Sequence, residues 1–319
     1  MDLIYISIFV AGLWFLIEGA DIIVNHATKV AREMGVSKFM IGLTLVAFST
    51  TLPELTVSLL SAMSGVPAIA TGTIIGSIIV NIGLILGLAA VIHPLTTDHE
   101  TLKLSYFMII FVLMLSLVLF DGILWYEGLI LVIAFLVYIY SYFLEVRKQR
   151  RLSVLVGPSK RKLIPQHPKN NIIKHIVYCL VGGVIVVMGA QMLITSTINI
   201  ASWLHVSELM ISLIVISIGT SLPELAVAIT GAVKKVKGIS IGDIIGANIY
   251  NVFVLGLTSL FATIPITTNL LMINIPIMII ISFTLVFFIK RDWKISRDEG
   301  IILLAIYLLF VVLQFLVIS

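Results

Sequence analysis

The sequence predicts an all-α polytopic membrane protein: ten transmembrane helices, built as two inverted-topology five-helix repeats in which helices 2 and 7 are broken. Three observations predict it. The 319 residues are 60% hydrophobic and only 11% charged, with a mean hydropathy of +1.18, whereas soluble domains carry roughly 25% charged residues. Ten apolar runs each approach the ~20 residues that cross ~30 Å of hydrocarbon. One unusual polar stretch occurs twice, 170 residues apart.

The spans are expected at residues 3–27, 39–63, 69–92, 104–120, 123–146, 172–200, 209–232, 239–261, 268–289 and 300–318. Short polar joints separate them, including Asp121-Gly122 and Lys234-Lys235-Val236-Lys237-Gly238. The chain opens on Met1-Asp2, without a basic segment or a small-residue cleavage site, so the first run reads as a retained span rather than a signal peptide. Cys179, the single cysteine, excludes an internal disulfide and a cysteine metal cluster.

All 20 basic residues lie in or beside connections 1, 3, 5, 7 and 9. By the positive-inside rule that side is cytoplasmic and both termini are outside; the expected location is the plasma membrane. The longest connection, 147–171, divides the chain into a first repeat (1–146), a basic linker and a second repeat (172–319). The linker reads as a solvated segment that fixes topology, with anionic-lipid binding or regulation as the alternative. No aromatic platform accompanies its charge, so nucleic-acid binding is not expected.

The repeat is organised around Ser49-Thr50-Thr51-Leu52-Pro53-Glu54 and Gly219-Thr220-Ser221-Leu222-Pro223-Glu224. Between residues 36–58 and 206–228, 11 of 23 positions are identical. Gly72, Gly76 and Asn81 match Gly242, Gly246 and Asn251 at the same offset. Five spans per half is an odd number, so the second half enters the membrane upside down. Secondary transporters of this build hold their ions near the midplane, where the halves meet.

A carboxylate inside a span is costly and marks an ion or substrate path by default. Pro53 and Pro223 have no N–H for the carbonyls of Ser49 and Gly219, so each helix should break and leave carbonyl oxygens free. Each glutamate then sits at the start of a half-helix, whose positive end favours its charge. Glu54 and Glu224, carbonyls of Ser49, Thr50, Gly219 and Thr220, and nearby hydroxyls supply the ~6–8 oxygens that calcium takes. Gly72/Gly76 and Gly242/Gly246 should let spans 3 and 8 approach the broken helices and aim Asn81 and Asn251 into the site. Ser77 has Ala247 as its counterpart, so that hydroxyl is unmatched. Glu18, Asp21 and Asp243 are weaker candidates for an ion path, and Glu127 and Glu145 read as interfacial. Trp14, Trp125 and Trp203 fit an interfacial belt.

These paired motifs, with Gly-Ser-Ile-Ile-Val-Asn (76–81) and Gly-Ala-Asn-Ile-Tyr-Asn (246–251), resemble the two alpha-repeats of the calcium/cation antiporter superfamily. The compact layout is similar to its prokaryotic members. The resemblance implies alternating access, with spans 1 and 6 sliding over a core of spans 2–5 and 7–10. It implies that Glu54, Glu224, Thr50 and Thr220 bind Ca²⁺, and that Thr51, Ser77, Asn81, Ser221 and Asn251 line the site. It implies an antiporter, not an enzyme, with Ca²⁺ and a monovalent counter-ion as substrates, no cofactor, and a monomer as the working unit in the bilayer.

The sequence departs from the sodium-coupled pattern at Asn251 and Ala247, where aspartate and serine are common. The remaining charge of −2 is balanced by one Ca²⁺ or two protons, and a carboxylate withdrawn from water gains affinity for protons. The expectation is H⁺/Ca²⁺ exchange, exporting Ca²⁺ from the cytoplasm, with Na⁺/Ca²⁺ exchange at the same site as the alternative and a cation channel as a remote one. An intramembrane enzyme using Ser49 or Ser221 is disfavoured, because no histidine or lysine base lies near either serine.

Overall fold

A computed structural model of the protein describes residues 2–33, 51–156, 172–233 and 239–316. Within them run α1 (Asp2–Glu33), α2 (Leu52–Met63), α3 (Pro67–Ile92), α4 (His99–Val118), α5 (Trp125–Val156), α6 (Ile172–Leu204), α7 (Glu208–Thr220), α8 (Leu222–Val233), α9 (Ile239–Ser259), α10 (Leu270–Asp292) and α11 (Arg297–Leu316). Eight of these helices are long and apolar enough to cross a membrane, or nine if the bent pair α7–α8 counts as one span. The expected span 39–63 is described only from residue 51, as the short apolar helix α2.

Local chemistry sets the helix ends. Asp98 caps α4 by accepting from the Thr101 amide at 2.8 Å and its hydroxyl at 2.7 Å. Ser207 caps α7, accepting from the Met210 amide at 3.2 Å. At the start of α11, Glu299 accepts from the Ser296 amide at 2.7 Å while Ser296 accepts from the Glu299 amide at 3.3 Å. That reciprocal pair is a capping box, which satisfies two otherwise orphaned N–H groups. Prolines open α2 and α3, where the missing N–H costs no helical bond.

The bundle has a graded interior. Along its apolar window α3 is 83% buried and α9 72%, against 17% for α5. Helices α3 and α9 therefore form the centre, with α2, α4, α5, α7, α8, α10 and α11 packed about them. Two small strand pairings tie the ends. Leu95-Thr96 (β1) pairs antiparallel with Lys294-Ile295 (β2), and Ile123 bridges Ile264.

Helices α1 and α6 stand apart from this core as an antiparallel pair. A Cβ at Gly12 would lie 3.0 Å from the Gly189 carbonyl, and one at Gly19 2.8 Å from the Val186 amide and 3.0 Å from the Gly182 carbonyl. Only hydrogen at these positions lets the backbones touch, which is how helices gain packing energy in lipid. The pair of glycines on α1 and the pair on α6 are each seven residues apart and are related by the 170-residue offset. Phe9, Leu16, Val186 and Leu193 from this pair meet Val57, Ile69 and Ile216 of α2, α3 and α7 in a second apolar cluster, separate from the main one.

Candidate cation site

The two Leu-Pro-Glu sequences start α2 and α8, so Glu54 and Glu224 each occupy the third position of a helix. There the exposed N–H groups and the helix dipole favour negative charge. The preceding backbone turns sharply in the second half: α7 and α8 meet at Ser221 with a 46° bend. Gly219 would bond to the amide of Pro223, which has none. In the first half Thr51 precedes α2 as its cap residue, while Ser49 and Thr50 lie outside the described residues.

The tertiary packing brings both halves to Glu54. The Ser221 hydroxyl donates to Glu54 Oε1 at 3.3 Å and lies 3.3 Å from the Ser77 hydroxyl. The hydroxyls of Thr220 and Ser77 also face the Glu54 carboxylate. Glu54, Thr51, Ser77, Asn81, Thr220, Ser221, Glu224 and Asn251 are all at most 1% exposed. Glu54 Oε2, Asn81 Oδ1 and both amide atoms of Asn251 have no hydrogen-bond partner among the described residues. Buried polar groups left this way cost roughly 1–3 kcal/mol each, more when charged. Oxygens of this kind, carboxylate and amide, are the ligand types that hard cations take.

Glycine spacing makes this approach work: span 3 packs on the broken helix 7 at Gly72 and Gly76. Gly72 and Gly76 lie on α3, and a Cβ at Gly76 would run into the Leu213 carbonyl and stand 2.7 Å from Ser217 Cβ. Thus α3 of the first half packs on α7 of the second, and carries Ser77 to Ser221. Among the described residues nothing stands within 4 Å of a Cβ at Gly242 or Gly246. Helix α9, which carries them, packs on α2. On the outer side of Gly219 sits Leu13 of α1, whose Cδ2 would lie 2.5 Å from a Cβ there.

The weaker candidates fall elsewhere. Glu18 and Asp21 are exposed on α1, and Asp243 is half-buried near the start of α9. Glu127 accepts from the Leu124 amide at 2.8 Å, at the start of α5. The side chain of Glu145 is outside the described set. Trp14, Trp125 and Trp203 are exposed. Sequence reasoning missed Asn248, fully buried on α9, whose Oδ1 accepts from Asn81 Nδ2 at 2.9 Å. Its counterpart at the repeat offset is Ile78, so no symmetry signal pointed to it.

A helical membrane bundle with two carboxylates buried at proline-initiated helix starts, one of them met by hydroxyls of both halves, has the features of an ion transporter. The particular family follows from comparison: the chain belongs to the sodium/calcium exchanger protein family, whose model matches residues 4–144 and 174–316. It is 31% identical to the sodium/calcium exchanger MaX1 of Methanosarcina acetivorans over 97% of both chains. It is 32% identical to the inner membrane protein YrbG of Escherichia coli, over 92% of this chain and 90% of that one. A solved structure of the sodium-calcium exchanger NCX_Mj matches 98% of this chain and 99% of its own at a TM-score of 0.64 and 31% identity. The protein is therefore an integral membrane antiporter of the calcium/cation superfamily, not an enzyme, and needs no cofactor.

Proposed function

We propose that this antiporter exports Ca²⁺ from the cytoplasm by alternating access, through a single site held by Glu54 and Glu224. The meeting of Glu54 with Ser77, Thr220 and Ser221 carries the reading, because it joins a carboxylate of one half to hydroxyls of both halves inside the bundle. The ligand set is Glu54, Glu224, Thr50, Thr220 and the carbonyls of Ser49 and Gly219, with Thr51, Ser77, Asn81, Ser221 and Asn251 lining it. The chain is read as ten spans in two inverted repeats, residues 1–146 and 172–319, joined by a basic cytoplasmic linker. Both termini are then outside the plasma membrane, and the monomer is the working unit.

The moving part in this reading is the α1–α6 pair. Its separate apolar cluster and backbone contacts support a unit that shifts as one against the α2, α3 and α7 surface. An empty site carries −2 and is held back from crossing an apolar midplane. One Ca²⁺ balances it, as do two monovalent cations, and the two occupancies exclude each other because they use the same oxygens.

Na⁺ is the counter-ion we propose, on the strength of full-length likeness to proteins named sodium/calcium exchangers. H⁺ is the second reading, favoured by Asn251 and Ala247, which add neither a third charge nor a second hydroxyl. Purified protein in proteoliposomes decides between them. Calcium uptake is measured under an imposed Na⁺ gradient at fixed pH, then under a pH gradient without Na⁺. Uptake with Na⁺ alone is the expected result, and uptake with the pH gradient alone would hand the site to protons. Glu54→Gln and Glu224→Gln should each abolish it, and if both leave exchange intact the site is elsewhere.

A further inference from the structure

We propose that Asn248 is a positioning residue that fixes the amide of Asn81, so that the two site amides are inequivalent. Asn81 is held with its oxygen toward the cation, while Asn251 is left to turn. This rests on the site reading above.

Four buried groups carry the argument. Asn248 Oδ1 accepts from Asn81 Nδ2 at 2.9 Å. The other end of Asn248, its Nδ2, points to Met108 Sδ at 3.8 Å. A thioether is a weak acceptor and never donates. With its NH₂ beside Met108 and its oxygen beside Asn81, both ends of Asn248 find a partner. Asn81 then offers its NH₂ to Asn248, and Asn81 Oδ1 is the end without a partner among the described residues. An amide oxygen is a ligand for a hard cation, whereas an NH₂ is repelled by it. Without the acceptor, the buried Asn81 NH₂ is unsatisfied. The amide would then be free to turn and place a donor where the proposed cation needs an oxygen.

The second half lacks this device. The position equivalent to Asn248 is Ile78, fully buried and apolar. Asn251 shows no hydrogen bond at either amide atom among the described residues. One amide is locked by its partner and the other is free to rotate between oxygen-in and nitrogen-in, as the occupant of the site changes from divalent to monovalent.

The test is a double-mutant cycle on calcium transport in proteoliposomes, reading KM and kcat separately. Outer partners of this kind typically change metal affinity about 10–100-fold. Asn248→Leu is expected to raise the KM for Ca²⁺ about tenfold with kcat nearly unchanged, and to add nothing once Asn81→Ala is present. Asn248→Asp keeps an accepting oxygen in place and should not raise KM. If Asn248→Leu does not fold, Asn248→Ala runs the same cycle. An unchanged KM, or an equal rise in both backgrounds, overturns the proposal while leaving the site intact. An Asn81→Ala variant with unaltered KM overturns the proposal and removes Asn81 from the site itself.

Discussion

Ser221 and Glu54 are separated by 167 residues of chain and by 3.3 Å in space, hydroxyl to carboxylate oxygen. Ser221 stands at the bend between α7 and α8, and Glu54 opens α2, so one hydrogen bond joins the two proline-marked helix starts. Hydrogen bonds to a charged group contribute about 1.5–3 kcal/mol. Ser221→Ala should accordingly weaken apparent Ca²⁺ affinity by about 10–100-fold while sparing protein yield. An unaltered transport KM in this variant would show that the hydroxyl plays no part in ion binding.

The close contact between α1 and α6 gives a sharper structural prediction. A Cβ at Gly189 would lie 2.6 Å from the Leu16 amide nitrogen, which is backbone and cannot step aside. Gly189→Ala should destabilise the detergent-solubilised protein by about 1–3 kcal/mol and slow transport. The neighbouring Gly183, with nothing described within 4 Å of a Cβ, is the control: Gly183→Ala should leave both unchanged. Thermal unfolding of the two variants side by side makes the comparison, and equal melting temperatures would contradict it.

Charge counting predicts the electrical behaviour. With Glu54 and Glu224 as its acids, the site balances one Ca²⁺ or two monovalent ions, so exchange should proceed at the same rate whatever the membrane potential. Asn251→Asp adds a third acid and should make the rate voltage-dependent. Uptake by the unaltered protein, clamped at several potassium–valinomycin potentials, checks this. A clear dependence there would mean that a further charge takes part.

Outside the membrane-spanning segments, Asp98 offers a test of folding against pH. Bonds from the amide and hydroxyl of Thr101 hold its carboxyl below the usual carboxylate range. A depressed carboxylate stabilises the fold above its unfolded pKa of about 3.9 and loses that contribution as pH falls through the folded value. Asp98→Ala should cost about 1 kcal/mol at neutral pH, and the gap from the unaltered protein should narrow as the pH falls through and below the usual carboxylate range. A gap that persists there would assign the loss to something other than this cap.

Much of the architecture was legible without coordinates. Long apolar runs, the one-sided placement of lysine and arginine and a 170-residue offset are properties of the chain itself. So were Glu54 and Glu224, because a carboxylate beside a proline in an apolar run is conspicuous whatever surrounds it. The glycines at 72 and 76 signalled a close approach, but not that the neighbour would be α7 of the other half.

What the sequence determined by itself is everything that acts within one helix: hydropathy decides burial in lipid, and a missing proline N–H decides where a helix turns. Only the tertiary structure decided that Ser221 reaches Glu54, that Asn248 holds Asn81, and that α1 and α6 pack backbone to backbone. The physical reason is that such contacts depend on crossing geometry between helices far apart in the chain. Small residues permit that geometry without specifying the partner, and the partner is fixed only when the whole bundle closes.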